Sequence, residues 1–397
     1  MLGCRVCRSR QLRFITDFGQ LSITNQFFAE GDSPSYQQCI SWQECQRCGV
    51  VQLSDAPPLE QIRPRYSWIH YAEPDGHLDE TARILQRVFP IDLGHQIVGF
   101  TADDRALLNR LSISRTQILD PFEQLGLSKE NQGMGSVQAA WTVERAAHVA
   151  EQSGPANVLV ARYALEHCHD AAEFLAACRK LLAPGGCLLI EVPDSAAAFR
   201  DVDVSVVWEE HTLYFTERTL VKGLGCAGFD TLHLQRVPDA FEDRLVWIGR
   251  PSRSNAATFV TPNSIMTEPD LRTFAESWPR RRKELRAWAA AIVQRGGRLA
   301  VFGAGHRACT LIDVMNLAEF IYCVIDDSPE KQQLRFPAGG LSIRGSRALI
   351  DHQITCCLMV VNPASEERIV ERNAEYLERG GQFVSLYPRS PRVLRLP

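Results

Sequence analysis

The feature that most constrains the fold is an alternation of strand-like and helix-like segments between about residues 77 and 250. Short apolar runs are separated by helix-like stretches such as DAAEFLAACRKLL, and the runs are HQIVGF, TQILD, NVLVARY and CLLIEVP. This alternation predicts a mostly parallel sheet with helices on both faces and ligands at the carboxyl ends of the strands. Two later runs, TLHLQRV and RLVWIGR, predict a hairpin that gives the sheet an antiparallel last strand.

A second strand–loop–helix–strand pattern occupies the C-terminal third of the chain. The loop Gly303-Ala304-Gly305-His306-Arg307-Ala308 fits G-x-G-x-x-A, and Asp326 ends the next strand. The pattern predicts a Rossmann-like α/β domain. Three interpretations of the loop remain open: a nicotinamide site, a purely structural unit, or a substrate phosphate held by Gly305, His306 and Arg307 at the helix start.

Two C-x-x-C pairs stand near the N-terminus: Cys4 with Cys7, and Cys45 with Cys48. Paired knuckles of this kind supply four thiolates in a closed tetrahedral site, which is typical of structural zinc. We therefore predict a small zinc-binding domain with a fold-stabilising ion. The segment Arg280 to Lys283 is interpreted as a solvated helix face.

These patterns divide the 397 residues into four parts. The predicted parts are a zinc-binding domain (1–75), a Rossmann domain (76–250), a connecting helical segment (251–290) and a C-terminal Rossmann-like domain (291–397). The predicted fold class is therefore α/β.

Composition excludes several partners. A formal net charge of −4 gives no basic field for nucleic acid or for an anionic membrane surface. The sequence lacks apolar runs of the ~18 residues that a membrane span needs, and its start lacks the apolar core of a signal peptide. We expect a cytoplasmic protein, a monomer or small homo-oligomer, with a small-molecule substrate.

Polar residues follow the predicted strand ends, where a cofactor and a substrate would bind. The loop after the first strand carries Thr101, Asp103 and Asp104, and Asp120 follows the next strand, where an acid can bind a ribose diol. The segment ARYALEH contributes Arg162, and the segment WEEHTLYF follows the strand CLLIEV. Histidine is the side chain best suited to general-base chemistry near neutral pH, which makes His211 a candidate.

Over nearly its whole length the chain resembles the three-domain sugar C-methyltransferases, which use S-adenosylmethionine to methylate carbon 3 of nucleotide-linked 4-keto-6-deoxy sugars. The segments that carry the resemblance are the paired cysteines, FGQLSITNQF, GVVQL, ARYALEHCHD, LLAPGG, EVPD, WEEHTLYFT, FGAGHRA and VIDDSPEKQ.

The resemblance implies that residues 76–250 form a class I methyltransferase-like Rossmann domain, and it also implies the site residues and their roles. His211 would be the base that removes the proton beside the ketone, Glu210 its partner, and Tyr71 a further catalytic residue, although Tyr66 competes with Tyr71 for that position. The enolate would then take the methyl group of the sulfonium. Implied cofactor-binding residues are Thr101, Asp103, Asp104, Asp120 and Arg162; implied substrate-binding residues are Trp208, Tyr214, Gly305, His306 and Arg307.

The chain departs from the family at the first loop, where the family reads roughly E-I-G-x-N-D-G-x-L-L. Gly99 replaces the acid, while Thr101 and Arg105 replace two glycines. A Cβ at those positions hinders close approach of a ligand to the backbone. Alternative functions are therefore a relative that transfers protons without a methyl donor, a non-catalytic binding protein, or a nicotinamide oxidoreductase.

Overall fold

The computed structural model describes residues 3–32, 36–69, 75–111, 115–128, 133, 135–253 and 271–396. Within those ranges the first sheet is antiparallel and has the order β1-β2-β3-β8. Its strands are β1 (Leu12–Ser22), β2 (Gln37–Cys45), β3 (Val51–Leu53) and β8 (Leu213–Tyr214). The cysteine knuckles lie before β1 and after β2, while β8 comes from the middle of the chain. The N-terminal unit is thus completed by a segment next to the predicted base.

The central sheet, as far as the chain is described, has the order β5-β4-β6-β7-β10-β9. Its strands are β4 (Ile97–Gly99), β5 (Thr116–Ile118), β6 (Ala156–Arg162), β7 (Leu182–Pro193), β9 (Phe229–Val237) and β10 (Arg244–Pro251). The pairs among β4, β5, β6 and β7 are parallel, and β10 is antiparallel to both β7 and β9. The mostly parallel sheet with an antiparallel last strand is confirmed.

Helices cover both faces of the central sheet. They are α1 (Leu78–Val88), α2 (Arg105–Leu108), α3 (Ser136–Ala140), α4 (Val143–Ser153), α5 (Ala171–Leu181) and α7 (Glu217–Cys226). Helix α6 (Ala196–Asp201) packs instead in a core shared with the other two units. Two of the starts follow simple capping chemistry, because Thr142 and Asp170 accept the N–H of Arg145 and Glu173.

The C-terminal sheet is parallel, and its described strands have the order β13-β12-β11-β14-β15. They are β11 (Leu299–Phe302), β12 (Ile321–Ile325), β13 (Ile343–Arg344), β14 (Cys356–Met359) and β15 (Gln382–Ser385). The remaining helices are α8 (Leu271–Gln294), α9 (His306–Met315), α10 (Ala348–Asp351), α11 (Pro363–Arg372) and α12 (Ala374–Glu378). The predicted Rossmann-like unit and the α/β class are confirmed.

One hydrophobic core crosses all three units. It joins Trp42 of the first sheet, Phe199 of the central domain and Ile312 of the C-terminal domain, each almost fully buried. Helix α8 bridges the units, because Phe274 stacks on Trp42 and Trp278 Nε1 donates to Thr16 Oγ1 at 2.9 Å. Shared burial of this kind fixes the relative positions of the units. None of the helices in the described ranges combines the length and apolar character that crossing a bilayer requires.

Candidate active site

The crevice between the carboxyl ends of β4 and β6 is the switch point of the central sheet, since β5 lies on one side of β4 and β6 on the other. Ligands of open α/β sheets bind at such a point. The loop after β4 bends there into a 3-10 turn, Ala102–Asp104, and Asp104 is fully buried. Its Oδ2 accepts Thr101 N–H at 2.9 Å and its Oδ1 accepts Arg162 N–H at 3.0 Å. Asp104 therefore ties the ends of both strands together.

Gly99 makes this closed loop possible. A Cβ at position 99 would lie 2.5 Å from Ile118 Cδ1 and 2.9 Å from Asp104 Cβ. The glycine thus admits the Asp104 side chain above the strand. Burial raises the pKa of Asp104 to about 7, although three backbone N–H groups and the Arg162 charge oppose the shift.

Glu191, near the end of β7, is the centre of a buried ionic network. Arg162 Nε donates to its Oε2 at 2.6 Å, Tyr163 OH donates to Oε1 at 2.8 Å, and His77 Nε2 lies 2.8 Å from Oε1. Burial alone would raise the pKa of Glu191, but His77 and Arg162 hold it below its usual value. Tyr163 has a left-handed φ of 49°, a strained conformation that this network maintains.

The residues at this crevice fit a cationic amino-acid cofactor such as a sulfonium methyl donor. Arg162 Nη2 is buried without a hydrogen-bond partner among the described residues, and it could take a carboxylate. Asp120 uses Oδ1 to accept the N–H groups of Phe122 and Glu123, and Oδ2 accepts none of the hydrogen bonds formed by the described residues. A ribose diol could donate to that oxygen. Asp103 is exposed and offers its carbonyl to Arg162 Nη1 at 2.8 Å.

Next to the crevice, the residues of WEEH form a tight turn closed by the hydrogen bond from His211 N–H to the Trp208 carbonyl, 3.0 Å. Residues of the N-terminal unit hold the two glutamates of this turn. Thr24 donates to Glu209 Oε1, and Asn25 Nδ2 donates to Glu210 Oε1 at 2.6 Å. Burial raises the pKa of Glu209 to about 7 and that of Glu210 well above its usual value. Burial therefore disfavours the charged form of both acids.

His211 faces a second histidine. The rings of His167 and His211 are 4.7 Å apart between centroids, and Trp208 packs 4.6 Å from His211. His167 Nδ1–H donates to the Glu210 carbonyl at 2.9 Å, because a carbonyl can only accept. Burial lowers the pKa of His167 to about 4 and that of His211 well below its usual value, so both rings are neutral at pH 7.

The C-terminal domain closes the site from the other side. His306, the first residue of α9, stacks on Trp208 with ring centroids 4.3 Å apart and planes 17° apart. The next residue, Arg307, is buried: Nη2 lies 2.9 Å from Glu242 Oε2 and Nη1 lies 3.5 Å from Asp203 Oδ2. Burial alone would lower the pKa of Arg307, but these acids raise it. The Arg307 charge is thus paired within the protein.

In the C-terminal domain, the acid that follows the glycine loop already forms hydrogen bonds within the protein. Asp326 Oδ2 accepts Ala304 N–H at 2.9 Å and the ammonium of Lys331 at 3.0 Å, while Lys331 also donates to the Ala304 carbonyl. In a dinucleotide site this acid would bind a ribose hydroxyl instead. Gly305, by contrast, would have nothing within 4 Å of an added Cβ, so the helix start is open.

The paired cysteines lie at one point of the N-terminal unit. Cys4 Sγ is 3.6 Å from Cys48 Sγ, Cys7 Sγ is 3.5 Å from Cys45 Sγ, and all four side chains are buried. The sulfurs of a tetrahedral zinc site with bonds of ~2.3 Å are about 3.8 Å apart. The cluster is close enough to hold a metal ion, as the sequence predicted.

Comparison with known proteins gives matches in two regions and one over the whole chain. Residues 263–388 match the C-methyltransferase C-terminal domain family, and residues 76–234 match a methyltransferase domain family. The C-methyltransferase NovU of Streptomyces niveus is 24% identical over 98% of this chain and 96% of its own length. The chain is similar to C-methyltransferases from end to end. These matches support a methyltransferase enzyme.

Solved structures of methyltransferases also align with part of the chain. The N-methyltransferase NodS of Bradyrhizobium japonicum is 15% identical, covers 45% of this chain and 99% of its own, and has a TM-score of 0.28. The 1,6-didemethyltoxoflavin-N1-methyltransferase of Burkholderia thailandensis is 21% identical, with 45% and 79% covered and a TM-score of 0.29.

The structure gathers most of the residues predicted for the methyltransferase site. Thr101, Asp103, Asp104 and Arg162 lie at the switch point, whereas Trp208, His211 and His306 form the neighbouring aromatic cluster. Tyr214 is buried, and its hydroxyl exchanges hydrogen bonds with the Trp208 backbone. The carboxyl group of Glu210 reaches Asn25 rather than His211. Tyr71 lies outside the described residues.

The sequence patterns did not indicate Glu166, His167, Asn25 or the Glu191 network as site residues. His167 stands in ARYALEH, which follows a predicted strand, and that position was the available signal. Asn25 gives no signal of its own, because only the fold brings the N-terminal unit to the WEEH turn.

Proposed function

We propose that this protein is an S-adenosylmethionine-dependent C-methyltransferase that acts beside a ketone, on a nucleotide-linked deoxy sugar or a related natural-product intermediate. The observation that carries the proposal is the similarity to a C-methyltransferase along the whole chain. The histidine cluster beside the switch-point crevice supports it, because carbon methylation beside a ketone needs a base next to a methyl donor.

In this proposal His211 is the general base. It is neutral at pH 7 because burial lowers its pKa, so a ring nitrogen can accept the proton from the carbon beside the ketone. Burial raises the pKa of Glu210 and favours its protonated form, and its Oε2 has no hydrogen-bond partner among the described residues, so a proton on this carboxyl group can be donated to the developing enolate oxygen. S-adenosylmethionine, when bound, supplies the methyl group that replaces the proton.

Three groups of residues hold the partners. Arg162 and Asp120 would bind the carboxylate and ribose of the methyl donor, with Thr101 and Asp103 shaping the loop and Asp104 fixing it. His306, stacked on Trp208, and the open helix start at Gly305 would meet the nucleotide sugar. Arg307 and Tyr214 would support these residues without contacting the substrate. Both are buried, and each pairs within the protein, Arg307 in an ion pair and Tyr214 in a hydrogen bond. The four cysteines would hold structural zinc.

The test is mass spectrometry of a nucleotide-linked 4-keto-6-deoxy sugar incubated with the protein in D2O. We expect deuterium exchange without S-adenosylmethionine and the gain of one methyl group with it. His211→Asn should slow both by ~10²-fold or more, the usual contribution of a general base. His148→Asn, a change of an exposed histidine, is the matched control. Wild-type rates in His211→Asn would refute the assignment of the base.

A second candidate is proton transfer without a methyl donor. The closed loop at Asp104 and the filled Arg162–Glu191 network favour it, because both occupy part of the switch-point crevice. Deuterium exchange that depends on His211, together with no heat of binding for S-adenosylmethionine in calorimetry, would select this function over methyl transfer.

A further inference from the structure

We propose that Glu166, His167 and His211 form a second metal site, which binds a divalent transition-metal ion of the zinc class. This inference does not depend on the methyl-transfer proposal, since metal binding can be measured without substrate or methyl donor. The site is separate from the cysteine cluster and lies at the carboxyl end of β6.

The geometry brings three ligand atoms of the right kind together. A carboxylate oxygen of Glu166 and one ring nitrogen from each histidine all lie within 4.8 Å of one another. Ligands of a tetrahedral zinc site with bonds of ~2.1 Å are about 3.4 Å apart, so loading requires the ligand atoms to approach one another by at most about 1.4 Å. Glu166 and His167 are almost fully buried, while His211 is half-buried and gives access.

The hydrogen bond formed by His167 leaves one of its ring nitrogens available for a metal. Because His167 Nδ1–H donates to the Glu210 carbonyl, its Nε2 carries the lone pair that can bind a metal. Metal-binding histidines usually donate their other N–H to a carbonyl or carboxylate in this way.

The backbone around the ligands is held in place. Glu166 and His167 lie in a 3-10 turn, Leu165–His167, directly beyond β6. Thr212, next to His211, places its hydroxyl 2.6 Å from the Cys168 carbonyl and 3.2 Å from the Glu166 carbonyl. The two ligand-bearing segments are thus joined by side-chain bonds that do not use the ligand atoms.

The ligand set selects the metal and leaves room for chemistry. Two imidazoles and one carboxylate suit zinc, iron, cobalt or nickel, whereas magnesium and calcium prefer oxygen ligands alone. Three protein ligands leave a fourth position open for water or a substrate oxygen, as in catalytic zinc sites. A metal on His211 also occupies the lone pair that would accept a proton. Metal loading and His211 base catalysis are therefore mutually exclusive.

The experiment titrates the full-length protein with Co2+ after the cysteine site has been filled with zinc. We expect one further equivalent to bind and to give d–d absorption bands without the thiolate charge-transfer band that Co2+ in the cysteine site would produce. Elemental analysis after zinc reconstitution should give two metal ions per chain. Added Co2+ should also stop the deuterium exchange described above.

Variants of the three ligand residues distinguish metal binding at this site from metal binding at the protein surface. His167→Ala, His211→Ala and Glu166→Gln should each lose the second equivalent and keep the first, while His148→Ala keeps both. Circular dichroism and the melting temperature show which variants fold, and Glu166→Gln is the mildest change. The proposal fails if wild-type protein binds one equivalent only, or if the second equivalent survives in the folded ligand variants or disappears in His148→Ala.

Discussion

At the scale of single residues, Asp104 shows how one buried acid shapes the site. Its carboxylate joins the N–H groups at the ends of β4 and β6, and the absence of a side chain at Gly99 gives it room. An alanine at position 99 would have to displace Ile118 or Asp104 itself. In this loop the glycine therefore makes room for the Asp104 carboxylate. In a loop that binds a cofactor, the glycines lie next to the ligand instead.

Asp104→Asn should alter how stability depends on pH. The folded protein binds this proton at a pKa of about 7, whereas an unfolded aspartate binds it near pH 4, so the folded state holds more protons between those values. The aspartate therefore makes stability rise as the pH falls from 7 toward 4. The stability of wild type relative to the variant should increase by about 2 kcal/mol between pH 8 and pH 5.

Urea unfolding at several pH values measures this difference. Asp103→Asn, which changes the exposed neighbouring acid, should keep the pH dependence of wild type. A difference between wild type and Asp104→Asn that stays constant from pH 8 to pH 5 would contradict the assigned titration.

At the scale of elements, sequence patterns predicted what is periodic and missed what is brought together by folding. The apolar runs located β6, β7 and β11, because buried parallel strands are continuous and apolar. The two-residue strand β8 has no period to detect, yet its pairing with β3 joins the N-terminal sheet to the WEEH turn. The contact of Asn25 with Glu210 depends on that pairing and was equally invisible.

If the cysteine cluster holds the proposed zinc ion, loss of that ion should therefore affect the candidate active site as well as the N-terminal sheet. Zinc at roughly 1,000 times its Kd stabilises the folded state by about 4 kcal/mol, and Cys45→Ser or a chelator would remove that contribution. We expect faster amide hydrogen exchange in β1 and β2 after either treatment, and lower activity in Cys45→Ser, because Thr24 and Asn25 follow β1 and hold Glu209 and Glu210.

Hydrogen-exchange mass spectrometry with and without chelator checks this coupling. Cys39→Ser provides the matched control, since Cys39 is exposed and lies outside the cluster. Unchanged exchange in β1 after complete metal removal would show that the sheet does not depend on the ion.

At the scale of the whole molecule, the proposed site needs all three units. The central domain contributes His167 and His211, the N-terminal unit holds the two glutamates, and the C-terminal domain stacks His306 on Trp208. The shared core around Trp42 and Ile312 makes this arrangement rigid. The sequence predicted three domains, but it could not predict that they close around one turn, because no local pattern encodes contacts between distant segments.

Arg307 connects the C-terminal domain to the central domain and provides the test of this closure. It is 5% exposed, is paired with Glu242 and Asp203, and lies 4.1 Å from the ring centroid of Phe241. Arg307→Met leaves Glu242 without its cation, and removing one partner of a buried pair costs about 3–5 kcal/mol. Because Glu242 keeps part of its exposure, we expect a loss nearer to 3 kcal/mol.

We expect the thermal unfolding of Arg307→Met to separate into two transitions. For the proposed nucleotide-sugar substrate, KM should rise more than kcat falls, since His306 lies in the same helix as Arg307 and would move with it. A double-mutant cycle with Glu242→Gln in calorimetry measures the coupling between the two residues. Arg347→Met is the control, because its pairs with Asp351 and Glu375 are exposed and contribute at most about 1 kcal/mol. If the two single changes add without coupling and unfolding stays a single transition, then Arg307 does not join the domains and the closure depends on the apolar core alone.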